Sequence, residues 1–328
     1  MSPTDAQLTR LLSPIQRDLE RMRTVITEQL TDASAAVRDM TDHVSRFRGK
    51  QLRGALVLLC GDICGNHSDE HAQVAAVVEM IHLATLVHDD VLDGADVRRR
   101  VASVNQRWDN QVAVLLGDFI YARAFHLSTE LSSRLVSRLL ADATRRLCAG
   151  EIEGSSRRYD FDMDQATYES IAAAKTATLY SAACELGARY PQGVPGHFES
   201  LREFGHEIGL AFQIVDDCLD LKGSLEVVGK SVGNDVEDGK VTLPVLQVYS
   251  TAPEAVRARI RDIYTVPGLE NRAEALREAC DLDPGIEYAM ARATELVDTA
   301  LARLAAFPPG PAKEALGTLG TFVLERRW

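Results

Sequence analysis

Apolar residues recur at intervals of three and four along almost the whole chain, and that rhythm leaves little room for anything but packed helices. Leu11, Ile15, Leu19 and Met22 form a first stripe. The same 3.6-residue spacing runs through 52–63, 72–92, 112–131, 135–153, 167–186, 198–221, 256–263 and 286–304. Alternation of apolar and polar residues between turn signals, the mark of a half-buried strand, is nearly absent. The breaks are short. Residues 190–196 carry two Pro and two Gly, 266–268 read Val-Pro-Gly, and 307–311 carry three Pro and one Gly. Brief connections of this kind belong to helical bundles. The expectation is an all-α fold. Length alone would allow two domains, but no linker divides the chain, so a single domain over 1–328 is expected. The longest irregular piece spans 222–244 and holds Gly223, Gly229, Gly233 and Gly239. Irregular segments of that size inside a domain are usually functional, and a lid is expected there.

Two acidic clusters of identical spelling end two of the apolar stretches: Asp89-Asp90-Val91-Leu92-Asp93 and Asp216-Asp217-Cys218-Leu219-Asp220. Residues i and i+4 share a helix face, so Asp89 and Asp93 point together, as do Asp216 and Asp220. Like charges at that spacing cost an exposed helix about 0.2–0.5 kcal/mol per pair. A repeated cost of this kind asks for a cation. Carboxylate oxygens suit Mg²⁺, whose shell is completed by water and substrate phosphates. A lone acidic cluster on a helix is most often a solvated face; two matched ones among basic residues are not.

The basic residues complete the picture. Arg98-Arg99-Arg100 follow Asp93 by one to two helical turns. Lys50 and Arg53 lie in Arg48-Gly49-Lys50-Gln51-Leu52-Arg53-Gly54, Lys175-Thr176 falls on a helical stretch, and Lys230 and Lys240 sit in the Gly-rich segment. Carboxylates for metal, cations for phosphate and apolar helices around them describe a site for an apolar molecule carrying a diphosphate. The net charge of −12 argues against nucleic acid or an anionic membrane as partner. The six cysteines have no zinc spacing, no apolar run approaches the length of a membrane span, and 1–20 lacks the apolar core of a signal peptide. A cytoplasmic protein without integral membrane association is expected.

These motifs, in this order, resemble the trans-isoprenyl diphosphate synthase (polyprenyl synthetase) family: Gly49-Lys50-x-x-Arg53, His82 seven residues before Asp89, the first aspartate cluster, Arg98-Arg99, Gly117-Asp118, Lys175-Thr176, Phe212-Gln213 before the second cluster, Gly229-Lys230 and Asp238-Gly239-Lys240. The match runs from about Gly49 to Pro244, and the flanks agree in helical character only. The resemblance implies a helical bundle of the isoprenoid synthase type, with a central site between the two helices bearing the aspartate motifs. It implies Asp89, Asp93 and Asp216 as Mg²⁺ ligands, with three ions when substrate is bound, and Asp90 and Asp220 as indirect contributors. Lys50, Arg53, His82 and Arg99 would hold isopentenyl diphosphate. Arg98, Lys175, Thr176, Gln213, Lys230 and Lys240 would hold the allylic diphosphate. The reaction implied is ionisation, condensation and elimination, and the assembly implied is a homodimer. Alone, His82 would read as a core histidine and Lys175 as an exposed one; their roles rest on their offsets from the other motifs. Two positions depart from the family pattern. Arg53 is followed by Gly54 instead of Pro, and the arginine pair is followed by Arg100 and Ala102 in place of Gly and Pro. Both lie beside binding residues and bear on loop geometry and affinity more than on the reaction.

Product length is read one turn, about 5.4 Å, before Asp89. In short-chain members of the family an aromatic there closes the pocket; here Ala84 and Thr85 stand, with Ile81 and Val78 further along. Phe125 is the expected deep floor. The expectation is a long-chain product of C30–C40, with a C20 geranylgeranyl product as the alternative. A class I terpene cyclase fits less well, because the second cluster is D-D-C-L-D and not an Asn/Asp-Ser/Thr-Glu triad. A regulatory subunit of a heteromeric synthase would have lost the aspartates. Ala84→Phe should therefore shorten the product, read as chain mass; an unchanged length would displace the floor from this turn.

Overall fold

The computed structural model describes residues 11–31, 34–47, 49–98, 101–192, 196–222 and 233–325. Its first helices are α1 (Gln16–Leu30), α2 (Ala35–Val44), α3 (Leu52–Cys64) and α4 (His71–Leu92). A two-residue hairpin follows, β1 (Val97–Arg98) antiparallel to β2 (Val101–Ala102), with Val97 opposite Ala102. Then come α5 (Val104–Arg107), α6 (Asn110–Glu130), α7 (Leu135–Ser156), α8 (Gln165–Ala172), a π-helical turn at Ala173–Ala177, and α9 (Thr178–Arg189). The remainder is α10 (His197–Lys222), α11 (Asn234–Glu237), α12 (Leu243–Thr251), α13 (Glu254–Thr265), α14 (Arg272–Ala279), α15 (Asp283–Arg303) and α16 (Pro311–Leu324). The all-α expectation is realised. No described helix is long and apolar enough to cross a membrane.

Two compact units emerge, with boundaries that fall inside helices. One comprises Met1–Ala143, Leu179–Gly205 and Leu301–Leu319; the other comprises Thr144–Thr178, His206–Ala300 and Gly320–Trp328. In the first unit α4 is the core element. Val74, Ala75, Ala76, Val77, Val78, Met80, Ile81, Ala84 and Val87 have no exposed surface at all (0%). A helix apolar on nearly every side must be wrapped, and α1, α3 and α6 pack around it. Its far end is thereby held rigidly, which matters because that end carries the first aspartate cluster. Close backbone approach needs glycine: a Cβ on Gly187 of α9 would sit 2.1 Å from the Val57 carbonyl oxygen of α3.

The second unit is cored by α8, the later part of α10 and helices α12 to α15. Phe161 contacts the rings of Tyr249 and Tyr264 at centroid separations of 4.6 and 5.1 Å. Such ring pairs add about 0.5–1.5 kcal/mol to the burial of their surface.

Three local expectations are corrected. The helix expected over 167–186 is broken by the π turn, where α7 comes so near that a Cβ on Gly150 would lie 2.5 Å from Ala174 Cβ. Arg98, counted in helical turns from Asp93, lies instead in β1. The part of the Gly-rich segment that is described, from Gly233 on, is built into α11 and the start of α12.

Gly187→Ala should lower the unfolding free energy by the roughly 1–3 kcal/mol typical of overpacking, read as a lower midpoint in chemical denaturation. An unchanged midpoint would mean that α9 and α3 do not pack backbone to backbone at that point.

Candidate functional site

The first acidic cluster occupies the last turn of α4. Asp93 caps the helix in right-handed geometry (φ −92, ψ −1), and its N–H donates to the Asp89 carbonyl oxygen at 2.8 Å. The i, i+4 relation between Asp89 and Asp93 therefore survives to the helix end. Carbonyl groups at a helix C-terminus already carry negative partial charge. Two carboxylates added there create a negative potential that attracts cations. Asp89 is half-buried and Asp93 exposed.

Asp90 has another job. It is wholly buried (0%), and its Oδ1 accepts from Arg98 Nε at 2.7 Å and lies 2.5 Å from Nη2. The Asp90 carbonyl oxygen accepts the Ala95 N–H, and the Ala95 carbonyl oxygen accepts from Ser103 Oγ and Asn105 Nδ2. Asp90 thus folds the hairpin back onto α4 and fixes Arg98. Removing one partner of a buried pair like this costs about 3–5 kcal/mol. On the same helix His88 Nε2 donates to the Val114 carbonyl oxygen at 3.1 Å. Gly117 is required there, since its Cβ would lie 2.1 Å from His88 Nε2. The Gly117-Asp118 pair is explained by that contact, with Asp118 Oδ1 3.5 Å from the same nitrogen.

Lys50 and Arg53 stand at the entrance of α3. Gln51 between them is left-handed (φ 52, ψ 42), an uncommon state for a residue with a Cβ. Arg23 Nε donates to Gln51 Oε1 at 2.7 Å and holds it there. Lys50 is exposed, while Arg53 is half-buried with its guanidinium 4.4 Å above the centre of the Tyr180 ring. Arg53 Nε is buried and finds no hydrogen-bond partner among the described residues. A stacked guanidinium with an unsatisfied donor is suited to a phosphate. His82 is half-buried on α4, seven residues before Asp89 and so on the same face.

The second cluster lies near the C-terminal end of the 26-residue α10. Asp216 is half-buried. Asp217 is 5% exposed and receives two donors, Tyr168 Oη at 2.6 Å and Gln213 Nε2 at 2.7 Å. Thr176 Oγ1 donates to Gln213 Oε1 at 2.6 Å, so Thr176, Gln213, Asp217 and Tyr168 form one chain of hydrogen bonds. Burial, reinforced by the charge of Asp235, pushes the Asp217 carboxyl up to about 8 against the pull of its two donors. Burial and Asp235 likewise raise Asp220 to about 6. The Asp220 carboxylate collects the N–H groups of Gly233, Asn234 and Asp235 at 3.0–3.3 Å and anchors α11. Beyond α11, Lys240 Nζ lies 3.4 Å from Asp235 Oδ1 and 3.1 Å from Asp238 Oδ2. The turn before it needs Gly239, which has φ +77 and no room for a Cβ beside the Tyr159 ring. Lys175 Nζ pairs with Glu151 Oε2 at 2.8 Å, beside the π turn. π turns often mark functional positions because they take carbonyl groups out of the α ladder.

Arg99 and Lys230 lie outside the described residues. Of the residues expected to set product length, Ile81 and Ala84 are wholly enclosed and Thr85 is 8% exposed, its hydroxyl donating to the His82 carbonyl oxygen. Phe125 is half-buried and stacked on Tyr121, which stacks in turn on His88, at centroid separations of 6.0 and 6.2 Å. Sequence reasoning missed Tyr168, Asp217, Asp235, Glu151, His88 and Tyr121. The offset of Tyr168, seven residues before Lys175 on one helical stripe, was an available signal. The others depend on tertiary contacts. Among the described residues no three His, Cys, Asp or Glu side chains gather as a closed metal cage. A hard divalent cation such as Mg²⁺ needs only one or two carboxylates when phosphate completes its shell.

The family model for polyprenyl synthetases matches residues 34–282. The all-trans-nonaprenyl-diphosphate synthase (geranyl-diphosphate specific) of Rhodobacter capsulatus is 34% identical, over 96% of this chain and 97% of its own. The octaprenyl diphosphate synthase of Escherichia coli is 32% identical, over 94% and 96% respectively. A crystal structure of a polyprenyl synthase from Caulobacter crescentus, complexed with calcium and isoprenyl diphosphate, is similar with a TM-score of 0.91 and 34% identity, covering 98% of each chain.

The Asp217 carboxyl gives a pH prediction. Its pKa is raised on folding from the roughly 3.9 of an unfolded chain to about 8. A raised carboxyl contributes stability that is complete below the unfolded value and is lost as pH rises through the folded one. Metal-free protein should therefore lose stability between about pH 4 and pH 8, and Asp217→Asn should flatten that part of the profile in thermal melts with chelator. Parallel profiles for the two proteins would contradict the assignment.

Proposed function

The chain belongs to the polyprenyl synthetase family, and from that premise we propose that it condenses isopentenyl diphosphate with allylic diphosphates to all-trans polyprenyl diphosphates of C30–C40. The observation that carries this reading is the placement of two D-D-x-x-D clusters in the closing turns of two long helices, each with fixed cationic side chains in its own unit. Octaprenyl and nonaprenyl products in the names of relatives that align over nearly the whole chain support the long product.

Asp89, Asp93 and Asp216 would hold Mg²⁺, three ions with substrate bound, and the metal would supply positive charge for the departing diphosphate. Arg98, Lys175, Lys230 and Lys240 supply positive charge to that leaving group. Thr176 and Gln213 orient it through the hydrogen-bond chain that ends on Tyr168. Asp90 and Asp220 act indirectly, one through Arg98 and the other through the anchored α11. Lys50, Arg53, His82 and Arg99 hold isopentenyl diphosphate, with Tyr180 supporting the Arg53 guanidinium. The isopentenyl double bond attacks the allylic carbon, and the proton then lost from the isopentenyl portion passes to the released diphosphate. Carbonyl groups displaced by the π turn and the Thr176 hydroxyl steady the cation.

Ala84 and Thr85 leave the turn before Asp89 free of large side chains, and Phe125, backed by the Tyr121 ring, is the floor of the product pocket. The whole chain works as one catalytic domain, in the cytoplasm, as a homodimer. Exposed apolar residues in the first unit, Leu92, Val97, Val114 and Leu115, offer surface for a second copy.

Asp89→Ala tests the reading. Condensation should fall by about a hundredfold or more, as when a single group stabilising developing charge is removed. The melting temperature should hold or rise, because a like-charge pair at a helix C-terminus is relieved. Activity close to that of the unmodified protein would overturn the assignment.

A further inference from the structure

The turn that opens α3 departs from the family pattern at Gly54, and the structure shows what that glycine makes possible. Its N–H donates to Glu79 Oε1, on α4, at 2.8 Å. A proline at this position has no N–H to give. Any side chain would also be crowded, since a Cβ on Gly54 would lie 2.5 Å from Met22 Sδ and 3.1 Å from Glu79 Cγ. A carboxylate accepting a backbone N–H in the first turn of a helix makes a charge-assisted bond and complements the helix dipole. The turn immediately before is strained at Gln51 and tied to Arg23. Arg53, adjacent to Gly54, has a buried Nε without a hydrogen-bond partner among the described residues and is stacked on Tyr180. Glu79 also precedes His82 by three residues, on the same face of α4. One helix thus carries His82 and at the same time pins the turn bearing Lys50 and Arg53.

We propose that Glu79 is a positioning residue for isopentenyl diphosphate, acting through the Gly54 N–H to set the direction of Arg53 and Lys50. This rests on the reading of Lys50 and Arg53 as isopentenyl diphosphate ligands. In a chain that lacks the proline, a hydrogen bond from a neighbouring helix takes over the stiffening of the turn.

Steady-state kinetics of the full-length protein, with isopentenyl diphosphate and an allylic diphosphate each varied in turn, test the proposal on Glu79→Ala, Glu79→Gln and Arg53→Ala. Glu79→Ala should raise the KM for isopentenyl diphosphate about tenfold, the order expected for loss of one charge-assisted hydrogen bond, and leave the allylic KM within about twofold. Glu79→Gln retains an acceptor oxygen and should recover most of the loss, which a generally weakened fold would not do. If Glu79→Ala does not fold, Glu79→Asp, one methylene shorter, should show the same split in smaller measure. Equal shifts in both KM values, or none, would overturn the positioning role. An isopentenyl KM raised by Arg53→Ala and untouched by every Glu79 variant would overturn that role alone. An isopentenyl KM unmoved by Arg53→Ala would overturn the reading of the subsite, and the positioning role with it.

Discussion

Carboxylates gathered at the negative ends of helices are the constraint from which the rest of this structure takes its form. Asp89 and Asp93 close α4, and Asp216, Asp217 and Asp220 stand near the end of α10. Helix dipole and like-charge repulsion both oppose such placement. The fold tolerates it because the helices are held by burial along their length. α4 has almost no free face from Val74 to Val87, and that burial outweighs the charge repulsion in its exposed last turn. What is left is an electrostatic demand for cations, and on the proposed reading a metal and basic side chains meet it together.

Within each cluster the aspartates divide the work. Asp90 turns inward to Arg98, and Asp217 turns inward to Tyr168 and Gln213. Asp220 collects three backbone N–H groups and organises the start of α11, from which the chain runs on to Lys240. These three are engaged with the protein, and their bonds hold Arg98, Gln213 and α11 in place. Asp89 and Asp93 stand instead at the very end of α4, half-buried and exposed respectively. The two clusters are spelled alike and used differently: the last aspartate of the first is an exposed helix cap, and the last of the second is an anchor.

How much of this was legible in the sequence depended on the range of the interactions. Helices from 52 to 304 could be read from apolar rhythm, since burial of a stripe is a local pattern. The π turn could not, because it arises where Gly150 lets α7 approach Ala174. The arginines after Asp93 were counted in helical turns, whereas Arg98 lies in β1 and donates back to Asp90. Asp217 looked like the unused middle of a motif, and its partner Tyr168 lies 49 residues away. Gly54 stood out in the sequence as a departure bearing on loop geometry, and its donor–acceptor pair with Glu79 is visible only once α3 and α4 are packed. Ala84 and Thr85 were identified as small residues near Asp89, but their nearly complete burial was not a property of the motif.

The central claim is that these carboxylates and cations serve metal-dependent chain elongation. The most direct measurement is the mass of the products formed by the unmodified protein from isopentenyl diphosphate and C5, C10, C15 and C20 allylic diphosphates, with Mg²⁺ and with chelator. The account predicts linear polyprenyl diphosphates of C30–C40 with the metal and none without it. Cyclised hydrocarbons, or elongation undiminished by chelator, would contradict it.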